Sequence, residues 1–529
     1  MSEFVLHIDL TTEKCRKEPY EFKKGVPYGR GLAAKLIEDH TGLETDRYDS
    51  ENVIVLTPGL LVGCKTPSGN RMFIGTVEGK GKGLQMCNTT GNMPQKLGSL
   101  GLAGIVITGK STSPDTVIHL DETGVAFERC PELAKSHAGE IVHALRNKYS
   151  HGSAVLGICE TGVRRMSLAS FFCTYPEGSP EYHSPRSGFG DVFGAKNLKA
   201  LVVDAKGSFL RECAHPDAYW EYSKQLTRVI TQDEICGDAL PGYGSITLLK
   251  ILKSGRTLDG MEPRKEQKHG VRKATTPIEK KRQRINYTCA PMCAIGCLNR
   301  HSDYEGRQYS SPAESEVNAA LVNCFGLSDY DLATAIQKKA TDICIVGTEF
   351  VTAAKVFAEA NDIEHGEKHL LEWLDEIEKG TLVGRVIASR TFGVASLYGE
   401  KDLRKWLDKE AIDEEHLFQI QMNNAYPALA NLSGLELLYA QIFVLENLGL
   451  CIFTSFALLD NPKSFELLAK MTEERTGVKV TPEELILDAR ECIKNERELK
   501  ERRWKAAQKT DIPPFTKVLY RYFDRQKEN

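Results

Sequence analysis

The sequence predicts an α+β protein, with a β-rich segment over residues 1–206 followed by two mainly helical segments, 207–398 and 399–529. Three observations carry that reading. Short apolar runs punctuated by glycine fill the first 206 residues, apolar residues recur with a helical period from about Ser208 onward, and 529 residues are enough to bury several cores without covalent staples.

Taken in order, "FVLHIDL", "NVIVLTPGLL", "AGIVITGK", "SAVLGI" and "LKALVVDAKG" read as strands, bounded by the glycine-rich connections that turns require. Beyond them, "DAYWEYSKQLTRVITQDEI", "DLATAIQKKATDI", "GEKHLLEWLDEIEKG" and "SFELLAKMTEERTG" each show an apolar stripe and a charged face, the pattern of surface helices. The most apolar region, Leu432 to Leu459, is interrupted or bounded by Glu436, Gln441, Glu446, Asn447 and Asp460; it reads as a buried helix plus a turn rather than a membrane span. The basic stretch "HGVRKATTPIEKKRQRINY" reads as a solvated loop. "GKGKG" at 79–83 has neither dinucleotide nor P-loop spacing, so no nucleotide fold is expected.

A formal net charge of -4 with 26% charged residues gives no field that calls for nucleic acid or an anionic membrane, so a small molecule is the expected substrate. The N-terminal "MSEFVLHIDLTTEK" lacks the basic and apolar segments of a secretory signal, and a cytoplasmic protein is expected. Fifteen cysteines in a reducing compartment then point to free thiols and metal ligands.

The densest cysteines are Cys289, Cys293 and Cys297 in "CAPMCAIGC". Three thiolates on one turn, completed by a distant fourth, suit a 4Fe-4S cluster or structural zinc. Zinc more often takes its ligands in two close pairs, so three plus one favours iron and sulfur; buried thiols without metal remain the third reading. Cys451 in "LENLGLCIFTS", taken alone, reads as a core residue of an apolar helix.

"HIDLTTEK", "GRGLAAKLIEDHTG", "LTPGLLVGCKTPSGNRMFIGT", "CNTTGNMPQKLGSLGLAGIVITGK" and "SPRSGFGDVFGAKNLKALVV", in that order, together with the cysteine trio and the "ENLGLC" ending, resemble the aldehyde:ferredoxin oxidoreductase family. The resemblance spans nearly the whole chain and is densest to about residue 206. It implies a tungsten (or molybdenum) bis-pterin beside one 4Fe-4S cluster, held by Cys289, Cys293, Cys297 and Cys451. It also implies Mg2+ bridging the pterin phosphates through the carbonyls of Asn88 and Ser187, with Arg186 in the same motif and Arg71 between pterin and cluster. Gly91 and Gly188, with Gly69 and Gly190, are expected to let backbone approach the phosphates. Glu446 and Leu450 belong to the second pterin motif, and Glu349 is the weakly aligned acid of the first. Aldehyde oxidation to a carboxylate follows from the resemblance, with ferredoxin or a small iron-sulfur subunit as electron acceptor; a homodimer is compatible with it.

The departures bear on chemistry. The glycine-rich element of the family is "CETGVR" (159–164) here, and the first acidic pterin motif is "CIVGTE" (344–349). Glu316, with Glu314 as neighbour, stands at the proton-transfer position. The histidine of relatives has no counterpart between 417 and 450, which leaves His416, Tyr426 or Cys324 as other donors. Reduction of an activated carboxylate or a conjugated ring is the same-fold alternative, and an electron relay without turnover is a reading from a different class.

Overall fold

The computed structural model describes residues 3–176, 181–185, 187–205, 210–245, 247, 283–302, 308–312, 314–398, 422 and 425–508. Within the first 206 residues, a pair of six-stranded sheets face each other. The first comprises β1 (Glu3–Asp9), β2 (Lys14–Tyr20), β3 (Ile54–Pro58), β4 (Met72–Val77), β5 (Leu84–Thr89) and β6 (Leu102–Thr108), in the order β2-β1-β6-β3-β4-β5. The second comprises β7 (Thr116–Asp121), β8 (Gly124–Arg129), β9 (Ala154–Gly157), β10 (Phe172–Thr174), β11 (Tyr182–His183) and β12 (Leu198–Val203), in the order β11-β10-β9-β12-β7-β8. The β1–β6 and β12–β7 pairs are parallel and the remaining pairs antiparallel.

Alternation along each strand explains the layering. Leu6, Ile8, Ile54, Leu56, Ile105 and Ile107 point into the core shared with Ile118, Leu156, Leu201 and Val203 of the second sheet. Their neighbours Val5, Val55 and Val106 point to the other face and meet helices there. Both faces of β3 and β6 are thus covered, which is why these strands read as unbroken apolar runs. β2, "KCRKEPY", is an exposed charged edge with no such signature.

On the outer face of the first sheet, α1 (Gly29–His40) shares a core with α6 (Pro216–Gln232), α14 (Gly434–Leu448), α16 (Pro462–Thr476) and the start of α17 (Pro482–Gln508). The second sheet is covered by α3 (Ala138–Lys148), and short α2 (Met93–Ser99), α4 (Glu160–Val163) and α5 (Gly190–Ala195) close connections around the sandwich. The short α7 (Leu240–Tyr243) precedes a small sheet of β13 (Gln283–Tyr287), β14 (Leu298–Ser302) and β15 (Gln308–Pro312). A separate helical core joins α8 (Ser315–Phe325), α9 (Tyr330–Asp342), α10 (Gly347–Ala360), α11 (Leu370–Lys379), α12 (Leu382–Ile387) and α13 (Arg390–Tyr398). The short α15 (Ser455–Leu458) lies between α14 and α16. Helix α6 shares its core with the C-terminal helices and not with α8–α13, so the interval 207–398 contributes to two cores.

The apolar region around residue 440 is a buried helix and turn. Ser433 and Glu436 form a capping box at the start of α14, and Gly449 ends it in the left-handed region at φ +83°. "GKGKG" is the turn joining β4 to β5. Most of the basic stretch lies outside the described residues.

An ion cluster pins the sandwich to the C-terminal helices. Glu3 of β1 accepts from Arg211 Nε at 2.7 Å and from Arg475 of α16. Arg211, 4% exposed, also donates to the carbonyls of Gly59, Leu60 and Val62 at 3.0, 3.3 and 3.2 Å. Burial alone would raise the Glu3 carboxyl, but the two guanidiniums hold it below its ordinary value of 4.5. The stability this supplies is present above that value and lost as pH falls through the depressed range. Replacing Arg211 by Met strips the loop carbonyls of their donor and leaves Glu3 half-paired, and should cost about 3 kcal/mol. Denaturant titration measures it, and Glu3→Gln should flatten the acid limb of stability against pH.

Candidate functional site

The loop from Gly59 to Arg71, between β3 and β4, is where the segments converge. Its backbone is laced to the end of α14. Leu60 N donates to Asn447 O at 3.0 Å, Leu61 N to Leu448 O at 3.1 Å, Arg71 N to Gly449 O at 2.9 Å, and Cys451 N to Ser68 O at 2.9 Å. The approach is close because glycines face each other. A Cβ on Gly59 would lie 2.2 Å from Gly449 Cα, and one on Gly449 would lie 2.3 Å from Val62 Cγ2. Gly29, at the start of α1 with φ +52°, meets the same turn, where a Cβ would stand 2.6 Å from Glu446 O.

The same loop holds the cysteine trio, which lies between the antiparallel strands β13 and β14. Ser68 N donates to Met292 O at 2.8 Å, and Ala294 N donates to Ser68 Oγ at 3.1 Å. Met292 (φ +60°) and Gly296 (φ +69°) turn the chain so that Gly296 N donates to Cys293 Sγ at 3.3 Å. Arg71 Nη2 donates to Cys451 Sγ at 3.1 Å. Arg71 also sits in the fields of Cys289 and Cys297, and Cys293 interacts with Cys451, so all four expected thiols gather around one guanidinium. Burial pushes the Cys289 thiol up to about 12 and raises Cys293 and Cys297, while Arg71 works the other way, toward the thiolate that a metal requires. Among the described residues no three His, Cys, Asp or Glu converge at the spacing of a single bound ion. The four thiols lie in one another's fields as well as in that of Arg71.

Asn88 lies on β5, opposite Phe73 of β4, at the sheet end from which Arg71 emerges. Its side chain reaches Glu446, and its Oδ1 is buried without a partner, as is Asn70 Oδ1. Glu446 also accepts from Arg30 Nη1 at 2.9 Å; burial raises its carboxyl against the pull of Arg30. Ser187 sits against Cys87 of β5, and its carbonyl accepts from Gln85 Nε2 at 3.5 Å. Leu450 is fully buried beside Cys451. Arg186 and His416 lie outside the described residues.

A Cβ at each of the expected glycines would also meet the chain itself. A Cβ on Gly91, at φ +112°, would lie 2.2 Å from Thr174 O, on Gly188 2.0 Å from Ser170 Oγ, on Gly190 2.0 Å from Ser170 O, and on Gly69 2.4 Å from Thr66 Cγ2.

The acids of the helical core stand apart. Glu316 is half-buried in the first turn of α8; Glu314, just before it, lines a narrow cleft with Ser184, Gln337, Thr341, Ile345 and Thr348. Glu349, in the first turn of α10, accepts from Thr391 Oγ1 at 3.4 Å. These three sit on or beside helices of the second core, whereas Arg71 and Cys451 sit on the seam between the first sheet and α14. Tyr426 is buried with its hydroxyl on Pro462 O at 3.2 Å, and Cys324 is buried on α8. Ser68, Asn70, Arg30 and Thr90, whose hydroxyl bonds Cys289, were not singled out from the sequence; the first two flank the glycine of "PSGNR", beside Arg71, where their position was the available signal.

Residues 5–205 match the family model described as "Aldehyde ferredoxin oxidoreductase, N-terminal domain". The tungsten-containing aldehyde ferredoxin oxidoreductase of Pyrococcus furiosus is 24% identical over 86% of this chain and 82% of its own length. That of Thermococcus kodakarensis is 27% identical over 50% of this chain and 42% of its own. The aliphatic sulfonate oxidoreductase WOR-like subunit of Pyrococcus furiosus is 27% identical over 39% of this chain and 34% of its own. A solved structure described as the active site complex BamBC of benzoyl coenzyme A reductase in complex with 1,5-dienoyl-CoA superposes with a TM-score of 0.76 at 17% identity, covering 95% of this chain and 90% of that one. It shows the same fold.

Gly449→Ala tests the lacing. A side chain at φ +83° pressed on Val62 and Gly59 should cost roughly 2–5 kcal/mol, from the left-handed conformation and the overpacking together. The expected result is a lower Tm and faster alkylation of Cys451 than in the parent protein.

Proposed function

Since the chain belongs to the aldehyde ferredoxin oxidoreductase family, we propose that this oxidoreductase oxidises an aldehyde to a carboxylate, using a tungsten or molybdenum bis-pterin beside one 4Fe-4S cluster. The observation that carries the reading is the gathering of Cys289, Cys293, Cys297 and Cys451 around Arg71, with the partnerless side-chain oxygens of Asn70, next to Arg71 in sequence, and of Asn88 on β5. Four thiols beside a cation suit a cuboidal cluster, and orphaned buried acceptors suit a ring rich in N–H groups. When bound, the pterin metal supplies a Lewis acid and a two-electron acceptor, and the cluster supplies one-electron steps toward a ferredoxin-type partner.

The residues of this chain have separable tasks. Arg71, through its bond to Cys451 Sγ, offsets negative charge on the thiolate shell and so favours the reduced cluster. β5 is the edge strand of its sheet, which leaves backbone groups on its outer side for the Mg2+ proposed at Asn88 and Ser187. Glu446, already engaged by Arg30 and Asn88, offers the pterin a prearranged acceptor. Glu316 is the proposed proton-transfer group, with Glu314 on the cleft as its neighbour.

The lack of a histidine between 417 and 450 favours a second reading, reduction of an activated carboxylate or a conjugated ring with another proton donor. Turnover with a panel of aldehydes and a viologen acceptor, on protein grown with both metals, separates the two. Glu316→Gln should lower aldehyde turnover by about 100-fold or more with metal content unchanged. Undiminished activity removes Glu316 from the reaction, and metal-loaded protein silent on every aldehyde selects the reductase. Cys451→Ser should lose iron and sulfide relative to the parent; full, stable content would mean a different fourth ligand.

A further inference from the structure

The two elements in which this chain departs from its family's pattern, "CETGVR" and "CIVGTE", each begin with cysteine, and the fold brings those cysteines together. Cys159 Sγ lies 3.0 Å from Cys344 Sγ, across 185 positions of sequence, and 3.2 Å from Asp342 O. Cys159 is 2% exposed and Cys344 fully buried. The geometry is held from both sides. Thr161 Oγ1 donates to Ile343 O at 2.6 Å, Ser170 N to Cys344 O at 2.7 Å, and Val346 N to Leu168 O at 3.1 Å, while Ala169 bridges Ile345. Cys344 itself is kept at φ +55°, a conformation that side-chain-bearing residues seldom adopt and that persists only where the surroundings impose it.

We propose that Cys159 and Cys344 are a disulfide site, which closes when the protein meets hydrogen peroxide. The sulfurs need to approach by only about 1 Å to reach the ~2.05 Å bond length, less than a side-chain adjustment supplies. In the first step one thiolate attacks a peroxide oxygen; the O–O bond breaks, water leaves after protonation, and a sulfenic acid forms. The second thiol then displaces the sulfenic hydroxyl as water. The balance is two thiols and one hydrogen peroxide giving one disulfide and two waters, two electrons passing from sulfur to oxygen. Access for so small an oxidant comes from the narrow cleft lined by Ser184, Thr341 and Ile345; Ser184 lies against Cys344, and Ile345 follows it directly. Closure would join the second sheet covalently to the helical core through the turn that forms one wall of the cleft beside Glu314.

The test is peptide mapping of the whole protein, alkylated without reduction before and after a brief dose of hydrogen peroxide. Its readout is mass, so it does not depend on metal loading or on the proposed reaction. The expected result is separate alkylated Cys159 and Cys344 peptides in the untreated sample. After treatment a single linked peptide should replace them, be released by dithiothreitol, and raise Tm by several degrees relative to the Cys159→Ser/Cys344→Ser protein treated identically. Recovery of both cysteines singly alkylated or as sulfonic acids after treatment overturns the proposal. So does a link confined to Cys64 and Cys213, whose sulfurs lie 3.6 Å apart with Cys213 half-buried.

Discussion

Everything at the candidate centre depends on a single backbone seam, the hydrogen bonds between the Gly59–Arg71 loop and the turn that ends α14. A chain segment with its main-chain groups buried must satisfy them, and here the partners come from a turn far along the chain. The seam fixes Arg71 and Cys451 relative to each other before any side-chain contact is counted. Ser68 then extends it to the cysteine hairpin by one donated and one accepted bond, so a single loop registers the sheet, the hairpin and the C-terminal helices. Arg211 braces the loop from behind through three carbonyls and transmits the restraint to Glu3 and Arg475.

How much of this the sequence discloses depends on range. Strands buried on both faces, such as β3 and β6, announce themselves as apolar runs, and the stripes of α6, α9, α11 and α16 are equally plain. Edge strand β2, "KCRKEPY", is mostly charged, carries a proline and looks like a loop; only its ladder with β1 makes it a strand. The cysteine trio is local and visible, and its fourth partner came from resemblance, since nothing in the apolar neighbourhood of Cys451 separates it from an ordinary core thiol. Arg30, Arg211 and Ser68 were invisible because their partners lie at distances of sequence that no local pattern encodes. The glycines carried a different lesson. Gly69, Gly91, Gly188 and Gly190 stand in ordered motifs and also lie close against Thr66, Thr174 or Ser170, so a glycine of this kind reports a close approach without saying what approaches.

On the proposed reading, the arrangement also separates electron traffic from proton traffic. The thiols and Arg71 sit on the seam between the first sheet and the C-terminal helices, while Glu314, Glu316 and Glu349 belong with the helical core. The departures at 159 and 344 fall beside the helical core, where Val346 N donates to Leu168 O.

A seam made of main-chain groups has a consequence for descent. Amide and carbonyl are common to nearly every residue, so substitutions along residues 59–71 or 447–451 leave the bonds in place so long as the facing glycines stay. For the seam itself the constraint falls on two or three positions that must remain without a side chain, whereas Ser68, Arg71 and Cys451 are held by what their side chains do. Relatives sharing about a quarter of their residues, and a structural neighbour sharing fewer still, can on that account keep the same architecture. What selection holds constant at such a junction is the path of the chain, with the alphabet written along it left largely open.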